Sequence, residues 1–301
     1  MNEAHHHHDT RSYTKRKLAT VFAISVSIFV VELVGGILSN SLALISDSMH
    51  ILVDFLAVGI SLAAFSIAER PHNAKLSFGF HRIEVVAAFL NGITLIAVTA
   101  VIFYESYRRL LEPSKVEIPL LLGFAFVGLI ANVIMILLLK KESKSNLNVK
   151  GSYVHIIGDL AATVGVIAGG IIMMFIPNTI VDVIISIGIG LLVLKSGISL
   201  CRECMHIFME GTPHEIKLDE ISKELETFQE IIGIHDLHVW TLTSNMYAMS
   251  AHVKVRDEYA KTTDLILKKI NHTMKDKFGI NHCTIQIENE HSLINPDKDH
   301  H

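Results

Sequence analysis

His50-Ile51-Leu52-Val53-Asp54 and His155-Ile156-Ile157-Gly158-Asp159 repeat one pattern, H-x-x-x-D, inside two separate apolar runs. Residues four apart share one face of a helix, about one turn from each other. A charged side chain at mid-bilayer costs about 2.5–3.5 kcal/mol on insertion scales, so ionisable residues there mark function. Neither run holds a Lys or Arg to neutralise its carboxylates. Packing the two faces together would bring two imidazoles and two carboxylates to one point. Two nitrogen and two oxygen donors in a closed tetrahedron suit Zn²⁺, which binds both types at about 2.0–2.2 Å. The plainer reading, hydrogen bonds that merely tie helices together, accounts better for one such pair than for two identical ones.

Working outward, the motifs fall in the second and fifth of six apolar runs, roughly 18–38, 41–68, 84–107, 118–139, 152–176 and 180–201. Each approaches or exceeds the ~20 residues a bilayer core requires. The segment from Met1 to Lys17 is polar and His-rich with no small-residue cleavage site, so the first run is expected to be a retained span. Eleven Lys/Arg fall before span 1 and after spans 2 and 4, whereas the opposite loops hold only Arg108, Arg109 and Lys115. The excess of positive charge predicts both termini in the cytosol of a multi-pass cell-membrane protein.

The chain of 301 residues is 50% apolar and only 19% charged, below the ~25% of soluble domains. Residues 1–209 carry 16 Lys/Arg and 14 Asp/Glu, and residues 210–301 carry 10 and 16. The first part is membrane-like and the second is soluble and acidic. These balances exclude a disordered chain, a disulfide scaffold and a strongly basic nucleic-acid binder. Three cysteines, Cys201, Cys204 and Cys283, suit a reduced compartment.

After Gly211-Thr212-Pro213 the period changes. Ile216, Ile221, Leu225, Phe228 and Ile232 lie near helical spacing, and Ile234–Leu242 and Met246–Val255 look like strands. An amphipathic stretch from Thr262 to Phe278 precedes a short strand at Thr284–Ile287. The expected fold is thus a six-helix transmembrane domain followed by a small cytosolic α+β module of order α-β-β-α-β.

Together these features resemble the cation diffusion facilitators. The resemblance rests on six spans, H-x-x-x-D in spans 2 and 5, Ser46-Asp47-Ser48-Met49-His50, Phe78-Gly79-Phe80-His81-Arg82-Ile83-Glu84, and Met209-Glu210-Gly211-Thr212-Pro213. It extends from about Tyr13 to His291 and is greatest with the zinc-transporting branch and the bacterial cadmium–cobalt–zinc exporters. It implies a homodimer that exports divalent metal from the cytosol in exchange for protons, with a metallochaperone-like cytosolic domain. The expected organisation is a His-rich tail (1–16), a transmembrane domain (17–208), a cytosolic metal-binding and dimerisation domain (209–291) and a C-terminal tail (292–301).

The resemblance further implies that His235, His252, Gln286 and Glu288 line a regulatory Zn²⁺ site, with Gln286 and Glu288 standing where some relatives have His and Asp. The alternative is a solvated sheet face. A second site in the loop between spans 2 and 3 is expected to be missing or altered, since Leu76 and Phe80 occupy its aligned positions.

The residues themselves favour exchange. Metal binding needs neutral imidazoles and ionised carboxylates, so loading the site expels protons and protonation expels metal. Histidine toggles most easily near neutral pH. Zn²⁺ is then substrate and regulatory ligand, and no catalytic cofactor or enzymatic activity is expected. A hydrolase would keep an open coordination position, and the zincin pattern H-E-x-x-H does not occur. A membrane metal sensor remains the other alternative. Asp47 is a candidate to help admit the ion or a helix-end contact near Ser41. Glu32, Asn91, Asn132 and Asp182 read as braces. Cys201 and Cys204 form a C-x-x-C lacking a second pair, and the terminal histidines are either metal-capturing or incidental.

Overall fold

A computed structural model describes residues 3–68, 75–141, 143, 147–176, 179–243, 246–259 and 261–290, with residues 3–19 described by backbone alone. The chain divides into two compact units, Met1–Ile60 with Leu90–Ser199, and Ser61–Phe89 with Leu200–His301.

Six long helices come first among the described residues: α1 Glu3–Ser39, α2 Leu42–Ala68, α3 Ile83–Leu111, α4 Ile118–Leu139, α5 Leu147–Phe175 and α6 Ile180–Phe208. Among the described residues, segments of α1, α3, α4, α5 and α6 are long and apolar enough to cross a membrane. The remaining helix, α2, has comparable length, 27 residues, and carries Asp47, His50 and Asp54.

Helix ends converge in the first unit. Asn40 takes a positive φ of 54° between α1 and α2, a conformation Asn tolerates better than most residues. Asp182 of α6 accepts hydrogen bonds from the Ser41 hydroxyl at 2.6 Å and from the Leu42 and Ala43 backbone N–H groups at 2.7 and 3.4 Å. It thereby satisfies free donors at the start of α2. Arg109 of α3 donates to the Asn40 carbonyl at 2.7 Å and lies 3.7 Å from Asp182. The Glu117 N–H, before α4, donates to the Ser39 carbonyl at 2.8 Å. One end of the bundle therefore collects the ends of α1 and α3 and the starts of α2, α4 and α6. Successive helices alternate in direction.

Packing between α1 and α4 depends on glycine. A Cβ at Gly35 would lie 2.3 Å from Phe124 Cγ, and one at Gly128 would lie 2.3 Å from Glu32 Oε1. Small residues let helix backbones approach closely where lipid supplies no hydrophobic drive.

In the second unit, α7 (Leu218–Glu226), β1 (Ile231–Thr243), β2 (Met246–Val255), α8 (Thr263–Phe278) and β3 (Ile280–Asn289) follow the expected order. The strands lie in the order β1-β2-β3, the first pair antiparallel and the second parallel. Ile221 and Leu225 of α7 and Ile266, Ile270 and Met274 of α8 are buried with Val253 and Val255 of β2. Their spacing follows from a helix period near 3.6 and a strand period of 2. Gly279, at φ 68°, ends α8 by returning its N–H to Lys275.

Two expectations shift. Of the five residues at helical spacing only Ile221 and Leu225 lie in α7, because it starts at Leu218 and Thr227 ends it: Ile216 and Phe228 flank it and stay in its core, and Ile232 is an exposed residue of β1. The last strand is longer than 284–287 because β3 pairs in parallel with β2 from Tyr247 to Val255.

Candidate metal centres

In the first unit the four motif residues meet. His155 Nε2 lies 3.0 Å from Asp54 Oδ2 and 3.8 Å from Asp159 Oδ2, and His50 Nε2 lies 3.8 Å from Asp54 Oδ2 and 3.9 Å from Asp159 Oδ1. Four donors about 2.0–2.1 Å from a tetrahedral ion stand roughly 3.3–3.4 Å apart. The imidazole–carboxylate separations run from 3.0 to 3.9 Å, on either side of that spacing, and enclosing a cation would draw the Asp54 and Asp159 carboxylates toward each other. Three of the donors, from His50, His155 and Asp159, lie within 4.8 Å of one another. The imidazole planes are inclined at 60° with centroids 5.9 Å apart. His50 Nδ1 is buried without a hydrogen-bond partner among the described residues.

The second unit holds another cluster, built by sheet register. His235 on β1 pairs with His252 on β2, and His252 pairs with Gln286 on β3. Glu288 lies two residues beyond Gln286 and so on the same face. Its carboxylate contacts His235 Nε2 at 3.0 Å and His252 Nδ1 at 2.8 Å, and Gln286 Nε2 reaches it at 3.5 Å. Burial pushes the Glu288 carboxyl up, but the hydrogen bonds from His235 and His252 outweigh it and hold the group below the usual glutamate value. Two imidazoles and one carboxylate form a three-donor group here.

A β-bulge between His235 and His238 extends this face with a residue that periodicity misses. Asp236, at φ 51°, lies 2.7 Å from His238 Nε2 and 3.7 Å from His252 Nε2. The available sequence signal was Asp flanked by apolar residues and histidines, since Asp tolerates positive φ. Cys283, paired with the core residue Met249, faces the opposite side of the sheet, where burial pushes its thiol up to about 11.

A model of the cation efflux transmembrane domain matches residues 18–209, and one of the cytoplasmic domain of cation efflux proteins matches residues 213–290. The chain belongs to the cation efflux family. It is 37% identical over 287 residues to the cadmium, cobalt and zinc/H(+)-K(+) antiporter of Bacillus subtilis, covering 94% of this chain and 92% of that one. The metal cation efflux system protein CzcD of Cupriavidus metallidurans is 39% identical over 285 residues, covering 95% and 90%. The zinc transporter ZitB of Escherichia coli is 34% identical over 292 residues, covering 95% and 92%.

The remaining polar residues of this efflux protein divide sharply. Asp182 and Asn132 do brace, Asp182 as described and Asn132 by donating to Thr163 Oγ1 at 3.2 Å. Glu32 is fully buried, yet neither carboxyl oxygen has a hydrogen-bond partner among the described residues. The side-chain oxygen of Asn91 has none either. Asp47, 1% exposed, accepts from Thr163 at 3.3 Å and offers no access point in this conformation.

Cys204 is buried and Cys201 half-buried, and both are free thiols. His206, near them, stacks on His214 and bonds the Thr212 carbonyl at 2.8 Å. Among the described residues these groups form no three-donor cluster. In the loop after α2, Phe78 packs edge-on against His282. His72, His300 and His301 lie outside the described residues, as do the side chains of His5 to His8.

Two family-like motifs acquire physical reasons. Arg82 pairs with Glu210 at 2.9 Å, and Glu84 accepts a hydrogen bond from Thr243. A Cβ at Gly211 would sit 2.2 Å from the His206 ring, so the glycine permits that approach.

Proposed function

We propose that the protein is a secondary transporter that exports Zn²⁺ from the cytosol in exchange for protons, with Cd²⁺ and Co²⁺ as further cargo. The observation that carries this reading is the convergence of the two H-x-x-x-D motifs, in which each imidazole lies 3.0–3.9 Å from a carboxylate of the other helix. The names of the B. subtilis, C. metallidurans and E. coli relatives, which are efflux, antiport and transport proteins, support it.

The same atoms serve both cargoes. The hydrogen bond between His155 Nε2 and Asp54 Oδ2 holds one proton between the two groups, and a metal ion bound at both atoms displaces it. Four donors, one from each motif residue, would fill a tetrahedral shell and leave no position for a hydrolytic water.

The chain works as a homodimer in the cell membrane, with residues 17–208 as the transmembrane domain, 209–291 as the cytosolic domain and both termini in the cytosol. The matched cytoplasmic domain and the excess of Lys and Arg between alternate spans support this arrangement. His235, His252 and Glu288, with Gln286 beside them, form a Zn²⁺ site that adjusts transport to cytosolic metal.

The test is uptake of a panel of divalent metals into inside-out vesicles with and without an imposed pH gradient. Zn²⁺ uptake driven by an acid interior supports the proposal. Metal binding without flux would favour a non-transporting sensor.

A further inference from the structure

Side-chain exposure changes in one direction along both motif helices. On α2 it falls from 35% at Asp54 to 22% at His50, and Asp47 is 1% exposed. On α5 it falls from 49% at His155 to 16% at Asp159, and Thr163 is 1% exposed. The helices run in opposite directions, and both series decline toward the bundle end that holds Asp182. Charged groups facing lipid are strongly disfavoured, so the exposed side of the quartet opens to water. Access is therefore open away from the Asp182 end and closed toward it.

The closing layer is specific. Thr163 stands one turn beyond Asp159, and Asp47 about one turn before His50. The Thr163 hydroxyl has two acceptors, Asp47 Oδ2 at 3.3 Å and the Asp159 carbonyl at 3.0 Å, and it accepts from Asn132 Nδ2 at 3.2 Å. Asn132 is 2% exposed, so the three residues join α2, α4 and α5 in a buried polar layer. One hydroxyl proton serves either acceptor. Turned to the Asp159 carbonyl, it releases the Asp47 carboxylate.

We infer that Asp47, Thr163 and Asn132 form the closed outer gate of the transport path, and that the metal ion leaves the quartet by way of Asp47. This rests on the quartet being the transport site. It reassigns Asp47 from admitting the ion to discharging it: the ion reaches the quartet from the open side, and opening the gate presents an unpaired carboxylate one turn further out. Val166, three residues beyond Thr163 on α5 and buried, reports on whether that side is open.

The experiment uses the full chain in proteoliposomes, with Cys201, Cys204 and Cys283 replaced by serine and Val166→Cys as a reporter for a membrane-impermeant thiol reagent. Thr163→Val should raise the labelling rate roughly three- to ten-fold, the effect of losing one buried hydrogen bond. Thr163→Ser should return it to the parent value. Thr163→Ala repeats the test should the valine variant fail to bind Zn²⁺. Asp47→Asn should slow Zn²⁺ flux roughly ten-fold, equivalent to one decade in barrier crossing, while equilibrium Zn²⁺ binding stays within about two-fold. Unchanged labelling after removal of the hydroxyl overturns the gate, and loss of Zn²⁺ binding in Asp47→Asn overturns the discharge role. Undiminished Zn²⁺ binding by Asp159→Ala would instead overturn the quartet itself.

Discussion

His155 Nε2 stands 3.0 Å from Asp54 Oδ2 across 101 residues of sequence, joining the two H-x-x-x-D motifs in a single contact. Two helix faces that are separately unfavourable in a bilayer become a shared site, because each imidazole finds a carboxylate on the other helix. His50 likewise lies 3.9 Å from Asp159. The arrangement is reciprocal, so each helix contributes to neutralising the other.

Gly35→Ala should lower thermal stability by about 1–3 kcal/mol through overpacking. The added methyl would overlap Cβ and Cγ of Phe124, atoms that cannot swing away as a side-chain tip can. Gly128→Ala should cost less, since its neighbour is the end of the flexible Glu32 side chain. Thermal unfolding in detergent compares the two, and equal stability of Gly35→Ala and the parent would refute the close approach of α1 and α4.

Glu230 gives a pH dependence with a defined sign. Its backbone N–H and its hydrogen bond with Lys269, at 3.1 Å, hold the carboxyl below the usual glutamate value. A depressed folded-state pKa contributes stability above the unfolded value, near 4.3, that is lost as pH falls through the folded value. The parent should therefore lose up to about 1 kcal/mol more than Glu230→Gln on acidification. Trp240, the only tryptophan and located in β1, provides the fluorescence signal.

His252→Ala and Glu288→Ala should raise the metal concentration needed for half-maximal transport more than they lower the maximal rate. These residues belong to the sheet of the second unit and not to the quartet. Complete loss of transport in folded variants would contradict the regulatory role, as would unchanged metal binding by the soluble domain.

His50→Asp should weaken the preference for Zn²⁺ over Mn²⁺. Borderline-soft Zn²⁺ gains from imidazole, whereas harder Mn²⁺ favours oxygen donors. Three clustered carboxylates also hold a proton more readily, so competition between metals needs measurement across a pH series. An unchanged ranking at every pH would mean that His50 does not contact the ion.

The quartet was legible because helix periodicity fixes which residues share a face, and the motif repeats with the same spacing. The α-β-β-α-β order was legible for the same reason. Thr163 and Asp236 were not. Thr163 matters through a hydroxyl bond to another helix, which no local period encodes, and Asp236 reaches its cluster through a bulge that breaks strand alternation. Glu32 looked like a brace because polar residues in apolar helices usually find partners, yet its oxygens have none among the described residues. The convergence of Ser41, Asn40, Arg109 and Asp182 was also hidden, since four separate segments supply it.

The most direct test of the central claim is Zn²⁺ uptake into sealed proteoliposomes under an imposed pH gradient, comparing the parent with Asp54→Ala, Asp159→Ala and the double variant. Each single change removes an anionic ligand and should reduce flux by about a hundred-fold or more, beyond the 10–100-fold typical of groups that merely support a metal ligand. The double variant should add little, because ligands acting as one site are non-additive. Near-parental uptake by either single variant, with the protein inserted and folded, would contradict the four-ligand site.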